Sequence, residues 1–172
     1  MDRIRIRQER REDYDEVYQL IQEAFRTAEH ADGNEQDLVA ALRKGRAFIP
    51  ELSLVAEVEG QLAGHILFTR AKVGEREVLA LAPLSVRPAY QRQGVGTELI
   101  REGHRIAREL GWAYVIVLGS ETYYPRLGYR PAEQLGVTVP EGMPPENFMA
   151  VCLQEKAVSL SGEVTYAEEF GL

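Results

Sequence analysis

The sequence predicts an α/β fold in which a twisted, mixed β sheet carries helices on both faces. The first observation is an apolar run, LALAPLSV, that passes through a glycine-containing loop into an amphipathic stretch, TELIREGHRIAREL, as a strand passes into a helix. The second is AYVIVLG, a short and almost wholly apolar run typical of a strand covered on both faces. Because strand, helix and strand follow one another, we expect a right-handed crossover between two parallel strands.

The flanking elements are predicted from the spacing of apolar residues. Ile4 and Ile6 alternate with arginines, which indicates a short strand with one wet face. A helix is expected after Asp13, which is a suitable capping residue, and a second helix over 35–43. The run FMAVCL predicts a last core strand.

A strand meander is predicted between these helices and the glycine-containing loop. SLVAEVE and QLAGHILFTR alternate as strands do and are joined at Glu59-Gly60, which indicates a hairpin. A third strand is expected over 77–86. Pro83 lies within it and has no N–H to complete a ladder, so it predicts a bulge or a local parting of the sheet.

Length and composition limit the classes of protein that fit. A chain of 172 residues predicts one domain, with a main body over 1–154 and a tail over 155–172 that forms an edge strand or a docked arm. The net charge of −7 argues against general nucleic-acid binding. The single Cys152 excludes an internal disulfide framework and a cysteine-based zinc site, and we expect no metal. No signal-peptide pattern or membrane-length apolar run is found, so a cytoplasmic protein without membrane contact is expected.

The stretch Val86–Thr97 carries the strongest chemical signal. A helix that starts at Gly94-Val95-Gly96 leaves backbone N–H groups unsatisfied at the positive end of its dipole, and its glycines allow close approach of a phosphate. A dinucleotide fingerprint would require a further glycine where Leu99 stands and an acidic residue at Gly119. A P-loop would require a Gly-Lys-Ser/Thr sequence, which does not follow. The stretch therefore predicts an anion site of another kind.

Two motifs resemble the GNAT superfamily of N-acetyltransferases. QRQGVG, between a strand and a helix, is similar to the loop that binds the acyl-CoA pyrophosphate in that family, and YYPRLGY is similar to its second signature. The order of elements from Ile4 to Leu153 also looks like that of the family, and most like that of a bacterial subgroup of predicted N-acetyltransferases without an assigned substrate. The positions that match the two motifs are Gln91, Gly94, Gly96, Tyr124, Gly128 and Tyr129.

The resemblance implies a GNAT-like fold and acetyl-CoA as co-substrate. Strands that part after Pro83 would expose backbone groups with which a pantetheine arm can pair, and a Val86 N–H could polarise the thioester carbonyl. Tyr124 is the expected acid for the departing thiolate, with Tyr123 as the alternative. The predicted cofactor-binding residues are Leu84, Ser85, Val86, Gln91, Arg92, Gln93, Gly94, Val95, Gly96, Thr97, Ser120 and Tyr123.

Several assignments stay open at the level of sequence. The general base is not identified: candidates are His65, Glu121, the loop pair Glu29 and His30, or an ordered chain of water. His104 is expected on a solvated helix face among arginines. The expected acceptor is a small-molecule or peptide amine, and the protein is expected to be a monomer or a homodimer. A non-catalytic acyl-CoA-binding or sensing module is the alternative function, and a nucleotide-binding domain is a more distant one.

Overall fold

The structure is a computed structural model that describes residues 3–26 and 33–172. A mixed β sheet forms its centre, with helices packed on both faces. The helices are α1 (Tyr14–Phe25), α2 (Glu35–Leu42) and α3 (Val95–Glu109). The strands are β1 (Ile4–Gln8), β2 (Phe48–Val58), β3 (Gln61–Val73), β4 (Arg76–Val86), β5 (Tyr114–Leu118), β6 (Arg130–Pro131), β7 (Val137–Thr138), β8 (Phe148–Cys152) and β9 (Gly162–Thr165).

The sheet follows the order β1-β2-β3-β4-β5-β8-β6. The first four strands form an antiparallel meander, whereas β4 and β5 are parallel, as the crossover through α3 predicts. The turn between β2 and β3 places Glu59 at φ 52° and Gly60 at φ 81°. Two successive positive φ angles fit the twist of a tight hairpin, so the predicted hairpin is confirmed.

The two faces of the sheet carry different helices. On one face α3 packs over the meander, and Gly64 of β3 leaves room for it, because a Cβ there would lie 3.1 Å from side-chain carbons of Leu99 and Val95. On the other face α1 and α2 bury an apolar cluster against the strands, which includes Val55 and Leu67. Residues that alternate along one strand therefore face either α3 or α1.

The sheet parts between β4 and β5. Opposite β3, the register jumps from Leu81 to Leu84, so β4 bulges at Ala82 and Pro83. Parallel pairing with β5 covers only Leu79 and Ala80, and β4 runs on to Val86 without it. The bulge predicted at Pro83 is confirmed, and the strands part three residues earlier than expected, after Ala80.

The last third of the chain closes the sheet beyond β5. β8 runs antiparallel to β5, and β9 of the C-terminal tail pairs with the end of β3. After β5 the chain makes hydrogen-bonded turns from Ser120 and a single 3-10 turn over Tyr124–Leu127. Pro125 lies at the start of that turn, where its missing N–H costs no helical bond. No helix in the described part of the chain is long and apolar enough to cross a membrane.

Candidate active site at the parted strands

The N-terminus of α3 lies beside the gap between the parted strands. The helix is 15 residues long, and its N-cap is Gly94, which has no side chain to cap the free donors. The first intrahelical bond runs from the Glu98 N–H to the Gly94 carbonyl over 3.0 Å. The N–H groups of 95–97 therefore have no acceptor within the helix. This end of α3 offers fixed donors and a positive dipole to an anion.

Backbone conformation in the loop directs these donors outward. Gly94 has φ 90°, and Arg92 has φ 63°, which is uncommon for a residue with a side chain. The Gln91 side chain donates to the Val86 carbonyl over 3.1 Å and ties the loop to the end of β4. A Cβ at Gly94 would meet no atom within 4 Å, so its glycine is required by conformation and not by crowding.

A cleft of about 560 Å³ opens between this loop and the end of β4. Most of the predicted cofactor residues line it together: Leu84, Val86, Gln91, Arg92, Gly94, Val95, Gly96, Thr97 and Tyr123. At Gly96 a Cβ would lie 3.3 Å from the Tyr123 hydroxyl and 3.5 Å from a Leu84 methyl, so this glycine keeps the narrow part of the cleft open.

The free edge of β4 offers backbone groups to the gap. The Arg87 N–H donates to the Ala63 carbonyl on β3 over 2.8 Å. Because N–H groups alternate in direction along a strand, the Val86 N–H points away from β3, toward the edge of β4 that is not paired with β5. An extended ligand in the gap would find an N–H donor there.

The two adjacent tyrosines have different surroundings. The Tyr123 hydroxyl lies 2.9 Å from Thr97 Oγ1 and faces the cleft. Tyr124 is buried, its ring edge covers Gly119, and its hydroxyl makes no hydrogen bond with another residue in the described part of the chain. Burial, and next the neighbouring Tyr123, raise the pKa of Tyr124 above its ordinary value, so its hydroxyl stays protonated.

Three predicted cofactor residues do not line the cleft with their side chains. Ser85 is buried on the α1 face, between two residues that do line it. The Gln93 amide donates to the Ala89 carbonyl, and Ser120 bonds to Thr122 in the turn after β5. Arg87 also faces away from the cleft, toward the carboxylates of α1.

The candidates for the general base are spread over several places. His65 is fully buried on β3, with Nε2 3.0 Å from Ser53 Oγ. Burial is the main cause that lowers the pKa of His65 to about 4, so the ring is neutral at neutral pH. Glu121 is exposed and accepts a 2.6 Å hydrogen bond from the Asn147 amide. Glu29 and His30 lie outside the described residues.

Sequence reasoning missed three residues near the site. Tyr90 and Arg126 line the cleft, and Arg126 brings a positive charge to it from the turn that follows Tyr124. Asn147 donates to the Gly119 carbonyl and accepts from its N–H through its backbone oxygen, which fixes the turn under Tyr124. Of these three, only Arg126 could have been recognised from the sequence, because it is a cation within the motif YYPRLGY. Across the described residues, no group of acidic, histidine and cysteine side chains has a geometry that could hold a metal ion.

The cleft thus combines an uncapped helix N-terminus, two parallel strands that part and a bulged strand edge. The sequence profile of the acetyltransferase (GNAT) family matches residues 14–129, which is most of the chain. The chain therefore belongs to the GNAT family and is an acetyltransferase.

Individual relatives agree with this assignment. The chain is 43% identical, over 142 residues and 78% of each protein, to the uncharacterized N-acetyltransferase YjhQ of Escherichia coli strain K12. Its structure is similar to a GNAT family acetyltransferase from Brucella melitensis in complex with acetyl-CoA, with a TM-score of 0.81, 34% identity and 97% of each chain covered. It is also similar to YhbS of Escherichia coli in complex with CoA, with a TM-score of 0.87, 29% identity and coverage of 99% of this chain and 93% of that one.

Proposed function

We propose that the protein transfers the acetyl group of acetyl-CoA to a primary amine, by direct attack and through a tetrahedral intermediate. The acceptor is a small-molecule or peptide amine, and the reaction takes place in the cytoplasm. The observation that carries this proposal is the gap after Ala80, where a free edge of β4 leads directly to the uncapped N-terminus of α3.

The residues of the cleft suit the parts of acetyl-CoA. The uncapped N–H groups of 95–97 and the charges of Arg92 and Arg126 suit the diphosphate. The edge of β4 at Leu84 and Val86 suits the amide-containing pantetheine arm, which pairs as an added strand would. This arrangement would bring the thioester near the Val86 N–H.

The proposed chemistry needs an oxyanion donor and an acid. The Val86 N–H would stabilise the negative oxygen of the tetrahedral intermediate, and removing such a donor costs about 100- to 1000-fold in turnover. Tyr124 would donate a proton to the departing thiolate, because its hydroxyl is protonated and bonds to no other described residue. Tyr123 would bind cofactor, since its hydroxyl is already engaged with Thr97 at the cleft wall.

A matched pair of variants tests the role of the tyrosines. Tyr124→Phe should lower turnover about 10- to 100-fold and leave the affinity for CoA unchanged. Tyr123→Phe removes a neighbouring hydroxyl of the same kind and should change CoA affinity more than turnover. Turnover is followed as CoA release with a panel of polyamines, aminoglycosides and lysine peptides. Wild-type turnover in Tyr124→Phe at every pH would remove Tyr124 from the mechanism, and CoA binding without release from wild type would support a binding or sensing module.

A further inference from the structure

A row of buried polar side chains crosses the sheet on its α1 face and ends at the active-site gap. Its members are each less than 9% exposed: Ser53, His65 and Ser85 lie on β2, β3 and β4, and Glu9 directly follows β1. Ser85 is the last of them and stands between Leu84 and Val86, which line the cleft from the other face. Buried polar side chains lower the stability of an apolar layer unless each of them is hydrogen-bonded. Each atom of this row without a hydrogen-bond partner therefore requires an explanation.

Hydrogen bonding determines the tautomer of His65. The Ser53 hydroxyl donates to Glu9 Oε1 over 2.8 Å, and Glu9 Oε2 accepts a 2.6 Å hydrogen bond from Arg43. Ser53 Oγ must then accept from His65 Nε2, 3.0 Å away. His65 therefore carries its proton on Nε2 and has a bare lone pair on Nδ1.

The residue opposite His65 on the neighbouring strand also carries a buried polar atom. His65 Nδ1 and Ser85 Oγ are both buried and have no hydrogen-bond partner among the described residues. The two residues are directly opposite each other on β3 and β4. Side chains in such a pair have Cβ atoms about 5 Å apart, which a single water molecule can span. An acceptor and a donor are thus placed next to each other at the edge of the gap.

We propose that Ser85 and His65 form a proton relay that takes up the proton released by the acceptor amine during acetyl transfer. This inference rests on the proposed function. Both act as positioning residues: Ser85 acts through a bound water at the gap, and His65 acts through Ser85. In this proposal the relay is the general base, so neither Glu121 nor a loop carboxylate is needed for that role.

Protons balance along the row. As the C–N bond forms, the amine proton passes through a bound water at the gap to Ser85 Oγ, and the Ser85 hydroxyl proton passes through the water between the two side chains to His65 Nδ1. The Nε2 proton of His65 moves to Ser53 Oγ, and the Ser53 proton moves to Glu9. Every hydrogen bond in the row is kept with its direction reversed. After the acetylated amine leaves, the proton returns along the same row and leaves through Ser85 to solvent, while Tyr124 regains its proton from solvent.

The charges around His65 suit brief proton uptake. Glu9 Oε2 lies 3.7 Å from Nε2 and favours the imidazolium, whereas Arg43 opposes it from the end of α2. From α1, apolar Val17, Leu20 and Ile21 cover this face. The first charged side chain after β4 is that of Arg87, which is paired with Glu16 and Glu23 of α1. Burial keeps His65 neutral, so the ring takes up a proton at Nδ1 as it gives up the Nε2 proton, and the transferred proton comes to rest on Glu9.

A pair of buried hydroxyls provides the test and its control. Thr69 Oγ1 is also buried and unpaired, on the same face of β3, but it lies outside the row. Ser85→Ala and Thr69→Val each remove a buried hydroxyl that bonds to no described residue, so both should change the melting temperature little. Only Ser85→Ala should lower turnover, by about 10- to 100-fold near neutral pH, with the affinity for CoA unchanged.

The pH profile separates a relay from a packing defect. The assay uses the amine that gives the fastest CoA release in wild type. Between about pH 7 and about pH 9, the loss of turnover in Ser85→Ala relative to wild type should become smaller, because hydroxide replaces the relay. A loss of turnover that is constant with pH, or equal to the loss in Thr69→Val, would contradict the proposed relay. If wild type released no CoA with any amine, the proposed function would fail as well, which is a different result.

A spectroscopic measurement tests the relay without turnover. The protein has three histidines, so a ¹⁵N-histidine spectrum resolves each imidazole. His65 should show a protonated Nε2 and an unprotonated Nδ1, and Ser85→Ala should shift the Nδ1 signal while Thr69→Val does not. A proton on Nδ1 in wild type, or an Nδ1 signal that ignores Ser85→Ala, would contradict the proposal.

Discussion

Replacement of Gly94 by alanine separates the backbone role of the glycine loop from its effect on stability. Gly94 has φ 90° at the N-terminus of α3, and Gly111 has φ 92° just beyond the C-terminus of the same helix. An added Cβ meets no atom within 4 Å at either position, so steric contact contributes nothing to the difference between the two variants. The pair differs in one respect that matters here, since only Gly94 lines the cleft.

The magnitudes follow from the left-handed backbone. An L-residue in that conformation costs about 1 to 2 kcal/mol, so Gly94→Ala and Gly111→Ala should lose similar free energies of unfolding. For a chain of this length that loss lowers the melting temperature by about 2 to 8 °C. If the loop relaxes toward negative φ in Gly94→Ala, one or two charge-assisted bonds to the diphosphate are lost, at about 1.5 to 3 kcal/mol each. CoA affinity should then fall by at least about tenfold in Gly94→Ala alone.

Calorimetric titration with CoA and thermal unfolding of the same samples measure both effects. Equal loss of stability in the two variants, with weaker CoA binding only in Gly94→Ala, is the expected outcome. If Gly94→Ala were destabilised as expected and still bound CoA as tightly as wild type, the loop would not be the diphosphate site.

Three further predictions concern the cleft and the helix that borders it. Arg126→Ala should weaken CoA binding about 3- to 10-fold and reduce the dependence of the affinity on salt, and an unchanged salt dependence in titrations would exclude contact between Arg126 and the phosphates. Gly103→Ala should lower the free energy of unfolding in urea by about 1 to 3 kcal/mol, because its Cβ would overlap the buried Phe68 ring, and a neutral result would show that this interface is loose. The pKa of His104 is lowered to about 4, mainly by burial, and its Nε2 lies 2.8 Å from the Tyr129 hydroxyl. Between about pH 6.5 and pH 4 the unfolded chain therefore binds more protons than the folded chain. The free energy of unfolding that His104 contributes is complete above this range and falls as the pH falls through it. Between about pH 7 and about pH 5, the free energy of unfolding of wild type should fall by about 2 kcal/mol more than that of His104→Gln. If the two free energies, measured by urea unfolding, changed in parallel with pH, His104 would not be buried in its neutral form.

The parts of the fold that sequence predicted are those that depend on local signals. The hairpin at Glu59-Gly60 follows from turn chemistry and alternation, and the parting after Ala80 follows from the missing N–H of Pro83. The helix start at Gly94 follows from glycine at the change of hydrophobic period. Each of these features is determined by a few adjacent residues, which a pattern can reveal.

Contacts between distant parts of the chain were beyond sequence reasoning. His104 was predicted to lie on a solvated helix face, and this was wrong: it is 8% exposed, because Tyr129 on the far side of β5 provides it with a buried partner. The bonds of His65 likewise come from Ser53 and, through it, from Glu9, 44 residues away from Ser53. Nothing in the local pattern around His65 indicates which face of β3 it occupies or what lies there.

The role of Tyr124 and its neighbours remains a prediction that the structure sharpens. Motif similarity singled out Tyr124 and kept Tyr123 as the alternative, and the fold now gives the two hydroxyls different surroundings. Arg126 follows two residues later and turns into the cleft because the 3-10 turn after Tyr123 brings it there. Arg87, in the same Val86–Thr97 stretch, is paired with carboxylates of α1.

The central claim is that this chain moves an acetyl group from acetyl-CoA to an amine at the gap between β4 and β5. Mass spectrometry of purified protein incubated with acetyl-CoA and the amine panel tests it most directly. The account predicts acetylated amine and free CoA in equal amounts with at least one amine class, and a strong reduction of both in Gly94→Ala. Free CoA without acetylated amine, or the same yields from Gly94→Ala at limiting acetyl-CoA, would contradict it.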